Sequence, residues 1–290
     1  CRTRHIAMQN HPIPQSDVIL DVTKEQIWAK TKLLVRMAHE MSWGSIFGME
    51  SSLLSIARIF SDRLFRSPDY QRGYAWGTKQ LNDFWSDLEK IPDGKNHYTG
   101  VLTLEGVSKK LYDRWDEDRW IIESKRYNPF FIIDGQQRLT TTIILIQCIL
   151  EIIPDNTQIN FTDKKDIQKR FIFDSKDNGI SRSYIFGYEK DNPSYNFLKK
   201  NIFLERCDDS IEDTVYTQNL ERAKIFFFEK VKLLDKEKIE KLYINITQNL
   251  MFNIFTINSD VDVCIAFETM NNRGKPLSHL ELLKNRLIYL

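Results

Sequence analysis

Residues 128–142 read Asn128-Pro129-Phe130-Phe131-Ile132-Ile133-Asp134-Gly135-Gln136-Gln137-Arg138-Leu139-Thr140-Thr141-Thr142. The aromatic and branched run 129–133 has the character of a strand, Asp134-Gly135 breaks it, and the chain restarts as a helix. A strand that feeds a helix N-terminus leaves unpaired backbone N–H groups and a partial positive charge at the junction. Both favour an anion such as a nucleotide phosphate. Gly135 lets the backbone approach closely, and Gln136, Gln137 and Arg138 add side-chain donors. The plainer reading is a tight turn capped by Asp134, with Arg138 paired at the surface. Two glutamines and an arginine at the mouth of a buried helix favour instead a site that binds phosphate and orients a water.

Working outward, Leu139 to Ile153 is apolar nearly all round, the signature of a buried helix, and Pro154-Asp155-Asn156 ends it. Upstream, Ser55 to Phe65 reads as a short helix and strand, and Thr78 to Leu88 as an amphipathic helix using Leu81, Phe84, Trp85 and Leu88. Residues 98–104, 119–123 and 129–133 are strand candidates. The expected fold is therefore α+β: a small mixed sheet with flanking helices, followed by a mostly helical part. Helices are expected around 163–173, 193–204, 215–233, 236–251 and 276–290. Residues 22–42 also show helical spacing before the break at Trp43-Gly44. The expected organisation is an N-terminal extension over 1–48, an α/β nucleotide-binding domain over 49–155 and a helical domain over 156–290. The chain opens on Cys1 and stops at Leu290 inside an apolar helical pattern, which reads as a piece of a longer protein.

Lys plus Arg number 41 against 40 Asp plus Glu, so no global field draws the chain to nucleic acid, and any DNA contact has to be local. The cysteines at 1, 148, 207 and 264 form no Cys-x-x-Cys pair. Cys148 and Cys264 stand among aliphatic residues, which suits buried reduced thiols and a cytoplasmic setting. No apolar stretch reaches the length of a membrane span, and residues 1–11 lack the apolar core of a signal peptide. The histidines show no metal-ligand spacing and no Walker-type loop exists, so neither a zinc site nor an ordinary P-loop is expected. The charged run Asp113 to Arg119 reads as a solvated hairpin tip, and Asp83, Asp87 and Glu89 as water-facing.

Two further stretches stand out. In Ser67-Pro68-Asp69-Tyr70-Gln71-Arg72-Gly73-Tyr74-Ala75-Trp76, aromatics interleaved with Arg72 can stack on a base and pair with a phosphate, or simply plug a core. Packing is the simpler role for Trp76, and a functional one for Arg72 beside Gly73. In Phe267-Glu268-Thr269-Met270-Asn271-Asn272-Arg273-Gly274-Lys275-Pro276, the asparagines serve either as a helix cap or, with Arg273, as a closure over a ligand held by the first domain.

Taken in order, Pro68 to Trp76, Ile133 to Thr141, and Phe267-Glu268 with Asn271 to Gly274 and Lys284-Asn285 resemble the GmrS-like N-terminal domain of GmrSD-type, modification-dependent (type IV) restriction enzymes, of the ParB/sulfiredoxin-like group. The resemblance covers about residue 50 to 290 and is most specific at Asp134-Gly135-Gln136-Gln137-Arg138. It implies a ParB-like sheet and a nucleotide hydrolase coupled to restriction of modified phage DNA. Gly135 to Arg138 takes the place of the phosphate-binding Gly-x-x-Arg turn. It also implies a C-terminal nuclease domain or subunit, and no His-centred nuclease motif occurs in this chain. Ser67 stands before Pro68 where an apolar residue is usual.

The combined expectation is a domain that binds an NTP with Mg2+ and hydrolyses it. Asp134, Gln136, Gln137 and Arg138 form the catalytic set, with Asp134 holding the metal or orienting water. Gln71, Arg72, Tyr74, Trp76, Gly135, Thr140, Thr141, Asn271 and Arg273 form the nucleotide-binding set. The alternatives are a ParB-like nucleotide- or DNA-sensing module without turnover, and a scaffold that restrains the nuclease. Partners are then a nucleotide, modified DNA and the nuclease, without a membrane, and with homo-oligomerisation left open.

Overall fold

The fold is taken from a computed structural model, which describes residues 50–206 and 212–257. All of them belong to the unit Gly44–Leu290. The first half runs β1 (Glu50–Ser55), α1 (Ile56–Ile59), β2 (Arg63–Ser67), α2 (Thr78–Glu89), β3 (His97–Gly106), α3 (Lys109–Tyr112), α4 (Arg119–Lys125), β4 (Asn128–Asp134) and α5 (Gln136–Ile152). It continues through a small hairpin, β5 (Gln158–Ile159) and β6 (Thr162–Asp163), then α6 (Lys164–Phe171), a second hairpin of β7 (Phe173–Lys176) and β8 (Ser181–Tyr184), and β9 (Phe186–Tyr188). Last come α7 (Tyr195–Phe197), α8 (Val215–Lys232), α9 (Lys236–Ile244) and β10 (Leu250–Ile257).

Six strands form one mixed sheet in the order β1-β10-β3-β4-β2-β9. The pairs β1/β10 and β3/β4 are antiparallel, whereas β10/β3, β2/β4 and β2/β9 are parallel. This is the expected α+β class, a mixed sheet with helices against it. The buried helix α5 follows β4 directly and packs on α8, with Leu139, Ile143, Ile146 and Ile149 wholly buried. Burying each such side chain contributes about 1.5–3 kcal/mol. Cys148 on this helix is buried, and burial pushes its thiol up to about 12, which leaves it protonated and unreactive. One apolar core runs from Ile56 to Ile254 and draws on residues both before and after position 155.

Several expectations need correction. Residues 119–123 belong to α4, not to a strand. Ile121 and Ile122 are buried side by side, Arg119 and Glu123 approach to 3.9 Å at helical spacing, and Arg126 in the left-handed region ends the helix. The run 113–119 is no hairpin tip: it joins α3 to α4, and Asp118 is buried. The helix expected over 236–251 stops at Ile244, adds one π-turn over Asn245–Asn249 and gives way to β10. In β10 the buried residues Leu250, Phe252 and Ile254 alternate with more exposed ones, a period of two that the apolar richness of the segment obscures. The strands β7, β8 and β9 were likewise not anticipated in the part read as helical. Asp83, Asp87 and Glu89 are exposed, as expected. Among the described residues, no helix is long and apolar enough to cross a membrane.

Candidate functional site

The corner between β4 and α5 is built on glycine. Gly135 has φ +97°, and a Cβ there would lie 2.9 Å from Leu102 Cδ1 and 3.1 Å from the Val101 carbonyl oxygen of β3. A side chain would be strained in backbone and would also push against a neighbouring strand. Gly135→Ala is therefore expected to cost about 2–4 kcal/mol, from the left-handed backbone penalty and overpacking together. Urea unfolding measures it, and a change within 0.5 kcal/mol of native would mean that the corner relaxes freely.

The helix that starts here carries no side-chain cap. Its first backbone hydrogen bond runs from Leu139 N–H to the Gly135 carbonyl (3.1 Å), so the amides ahead of Leu139 precede the helical ladder.

Arg138 turns back over β3. Its Nη2 donates to the Val101 carbonyl (2.7 Å) and lies 3.9 Å from Asp134 Oδ2. Its guanidinium rests against Gly100, where an added Cβ would sit 3.1 Å from Cζ. The side chain is 27% exposed, and its Nε is buried without an acceptor among the described residues. A buried N–H of a cation left unmatched is costly unless something completes it. Asp134 is held by opposing influences: burial raises its pKa, while the charge of Arg138, the Gly135 N–H and the charge of Arg72 pull it down. Burial wins, and the carboxyl sits above its ordinary range. Arg72 is thus brought to the same carboxyl as Arg138, from the loop between β2 and α2.

That loop is held by residues for which ligand contact was expected. Gln71 is buried and donates through Nε2 to the carbonyls of Ile132 (2.9 Å) and Ile133 (3.0 Å) in β4. Gln137 accepts from Ala75 N–H at Oε1 (2.7 Å) and donates from Nε2 to the Gly73 carbonyl (3.1 Å). The Thr140 hydroxyl donates to the Gln136 carbonyl and meets Tyr188 Oη at 2.9 Å. The Thr141 hydroxyl donates to the Gln137 carbonyl and meets Tyr74 Oη at 2.7 Å. Tyr74 is 0% exposed, and burial drives its hydroxyl pKa upward. A ring with no open face has nothing to stack on, so Tyr74 packs the core. Trp76 keeps part of its surface open and sets its edge against Phe84, with centroids 6.0 Å apart. Gln136 lies on the first turn, mostly covered, and no hydrogen bond ties its side chain among the described residues. Asn271 and Arg273 lie outside the described residues.

The structure therefore brings Asp134, Gly135, Gln136, Arg138 and Arg72 to one corner, and uses Gln71, Tyr74, Gln137, Thr140 and Thr141 to build it. Three residues that the sequence reading passed over grip the same loop: Asn192, Ser194 and Asn219. For Asn192 and Ser194 the sequence signal is the turn-forming character of Asp191-Asn192-Pro193-Ser194, which says nothing about what the turn touches, and Asn219 lies unmarked inside α8. Also missed is the pair Arg66 and Asp118, joined at 2.5 Å in the interior.

Among the described residues no group of three His, Cys, Asp or Glu side chains is placed to hold a metal. Of the residues brought to this corner Asp134 is the one carboxylate, the donor type that magnesium takes.

Residues 56–288 match the family described as the N-terminal domain of the GmrSD restriction endonuclease, and the chain belongs to that family. Membership places it in a restriction system, hence in phage defence, with DNA as the target and a nuclease domain as partner. No curated protein matches the chain.

Proposed function

We propose that this domain binds a nucleoside triphosphate and hydrolyses it, within a restriction system that acts on modified DNA. The observation that carries the reading is the buried, unmatched Nε of Arg138 beside an uncapped helix N-terminus, with Asp134 and Arg72 at the same corner. Arg138 and Arg72 neutralise phosphate charge, and the amides of residues 136–138 bind its oxygens. Because the Gln137 amide is committed to the loop, Gln136 is the glutamine that positions the attacking water. Asp134 orients that water or holds magnesium, which supplies further charge neutralisation when bound. The part of the Trp76 ring left uncovered is the surface on which a base stacks.

The test is phosphate release from the whole chain with each NTP and magnesium. Release is expected, and nucleotide binding without release would replace hydrolysis by a sensing role. The pH profile gives a second check. Asp134 has to be ionised, and its carboxyl is held above the ordinary value of about 4. Lowering the pH through that raised value protonates it, so turnover is expected to fall on an acid limb centred above pH ~4. An activity flat down to the unperturbed carboxylate range would remove Asp134 from the chemistry.

A further inference from the structure

The loop 68–77 has no regular secondary structure, yet backbone groups along it, at Pro68, Gln71, Gly73, Tyr74 and Ala75, are bound by side chains from distant parts of the chain. From α5, Gln137 takes Ala75 N–H and Gly73 C=O. From the turn after β9, Asn192 Nδ2 donates to the carbonyls of Pro68 (3.1 Å) and Gln71 (3.0 Å), while its Oδ1 accepts from Ser194 N–H (3.0 Å). Ser194 Oγ accepts from Tyr74 N–H (3.0 Å). From α8, Asn219 Nδ2 donates to the Tyr74 carbonyl (3.3 Å), and its Oδ1 accepts from Arg222 (2.8 Å). Asn192, Ser194 and Asn219 are all buried. The fit leaves no slack, since a Cβ on Gly73 would lie 2.5 Å from Ser194 Oγ and 2.7 Å from the Tyr216 ring.

These contacts bracket Arg72 on both sides. Its preceding carbonyl, at Gln71, is fixed by Asn192, and the residues that follow, Gly73 and Tyr74, are fixed by Gln137, Ser194 and Asn219. An arginine in an irregular loop ordinarily samples many positions, and confining it is an entropic cost that a binding site otherwise meets when the ligand arrives. Here folding has already met the backbone share of it.

We propose that Asn192 and Asn219 are positioning residues: they hold the Arg72 loop in one geometry beside Asp134 before any ligand binds. Neither belongs to the sequence stretches that carry the family resemblance. Both act through backbone carbonyls and not on the ligand. Their consequence for anion binding rests on the functional reading above, so the test separates the two. In the whole chain, native protein is compared with Asn192→Ala, Asn219→Ala and Asn245→Ala. Asn245 is the control: it is equally buried, and its Nδ2 donates to the Leu88 carbonyl at the opposite end of α2.

Tryptic cleavage between Arg72 and Gly73 reports on the loop, and calorimetric titration with inorganic tripolyphosphate reports on the site. Asn192→Ala and Asn219→Ala are expected to be cut at Arg72 at least severalfold faster than native. They are also expected to bind tripolyphosphate on the order of tenfold more weakly, which corresponds to about 1.4 kcal/mol of lost preorganisation. Asn245→Ala is expected to match native in both. Equal cleavage at Arg72 in all four proteins, or equal acceleration in the Asn245→Ala control, overturns the proposal. If the native chain itself fails to bind tripolyphosphate, the anion site is refuted, and the Arg72 cleavage rates still decide the positioning role.

Discussion

Arg138→Ala protein is expected to lose triphosphate turnover by roughly 100- to 1,000-fold, the scale on which one preorganised donor to developing charge contributes. The reasoning comes from how Arg138 is held. One nitrogen is already bound to the Val101 carbonyl, and Gly100 leaves the room that the guanidinium occupies. The ion pair to Asp134 is long, at 3.9 Å, so the carboxylate does not saturate the cation. The buried Nε stays open. Folding is expected to survive the change, because the side chain is partly exposed and its single hydrogen bond contributes about 1 kcal/mol. Phosphate release measured beside a urea melt separates the two effects. Turnover equal to native in a folded variant would place the chemistry elsewhere.

The second large effect concerns stability. Asp118→Ala is expected to destabilise the fold by about 3–5 kcal/mol, because it strands a cation in the interior. Asp118 Oδ2 lies 2.5 Å from Arg66 Nη2, and its Oδ1 accepts from Ser183 Oγ at 2.7 Å. Arg66 spends Nη1 on the carbonyls of Phe65 and Tyr184 and lies over the Trp115 ring. Without the carboxylate, those carbonyls leave a full positive charge uncompensated. The double change Arg66→Met with Asp118→Leu is expected to cost less than Asp118→Ala alone, because no charge is then buried. Denaturant midpoints of the three proteins decide the matter, and a double variant weaker than the single one would contradict it.

What the sequence made legible follows from local rules. The strand 128–134, the glycine corner and the buried helix are each written in neighbouring residues, so β4 and α5 stand where composition and punctuation put them. The helix over 78–89 was equally plain, since Leu81, Phe84, Trp85 and Leu88 share a face. The errors came where partners are remote. Asp118 looked like one charge among many in 113–119, and only Arg66, 52 residues away, makes it an interior residue. Residues 119–125 carry the branched apolar pair of a strand, but no strand pairs with them among the described residues, and helical spacing of Arg119 and Glu123 prevails. At the corner, the residue types were read correctly as donors, yet Gln71 and Gln137 spend their amides on backbone. Side-chain chemistry announces that a glutamine can donate, and only the fold says to what.

The position of β10 has a consequence for how the molecule comes into being. It lies between β1 and β3, pairing Glu50 with Thr256 on one side and Ile257 with Glu105 on the other. A strand made early in synthesis thus waits for one made some two hundred residues later. While the ribosome is still adding that stretch, β3 has an open flank and β1 has no mate. Such delayed closure slows maturation and leaves the nascent chain adhesive.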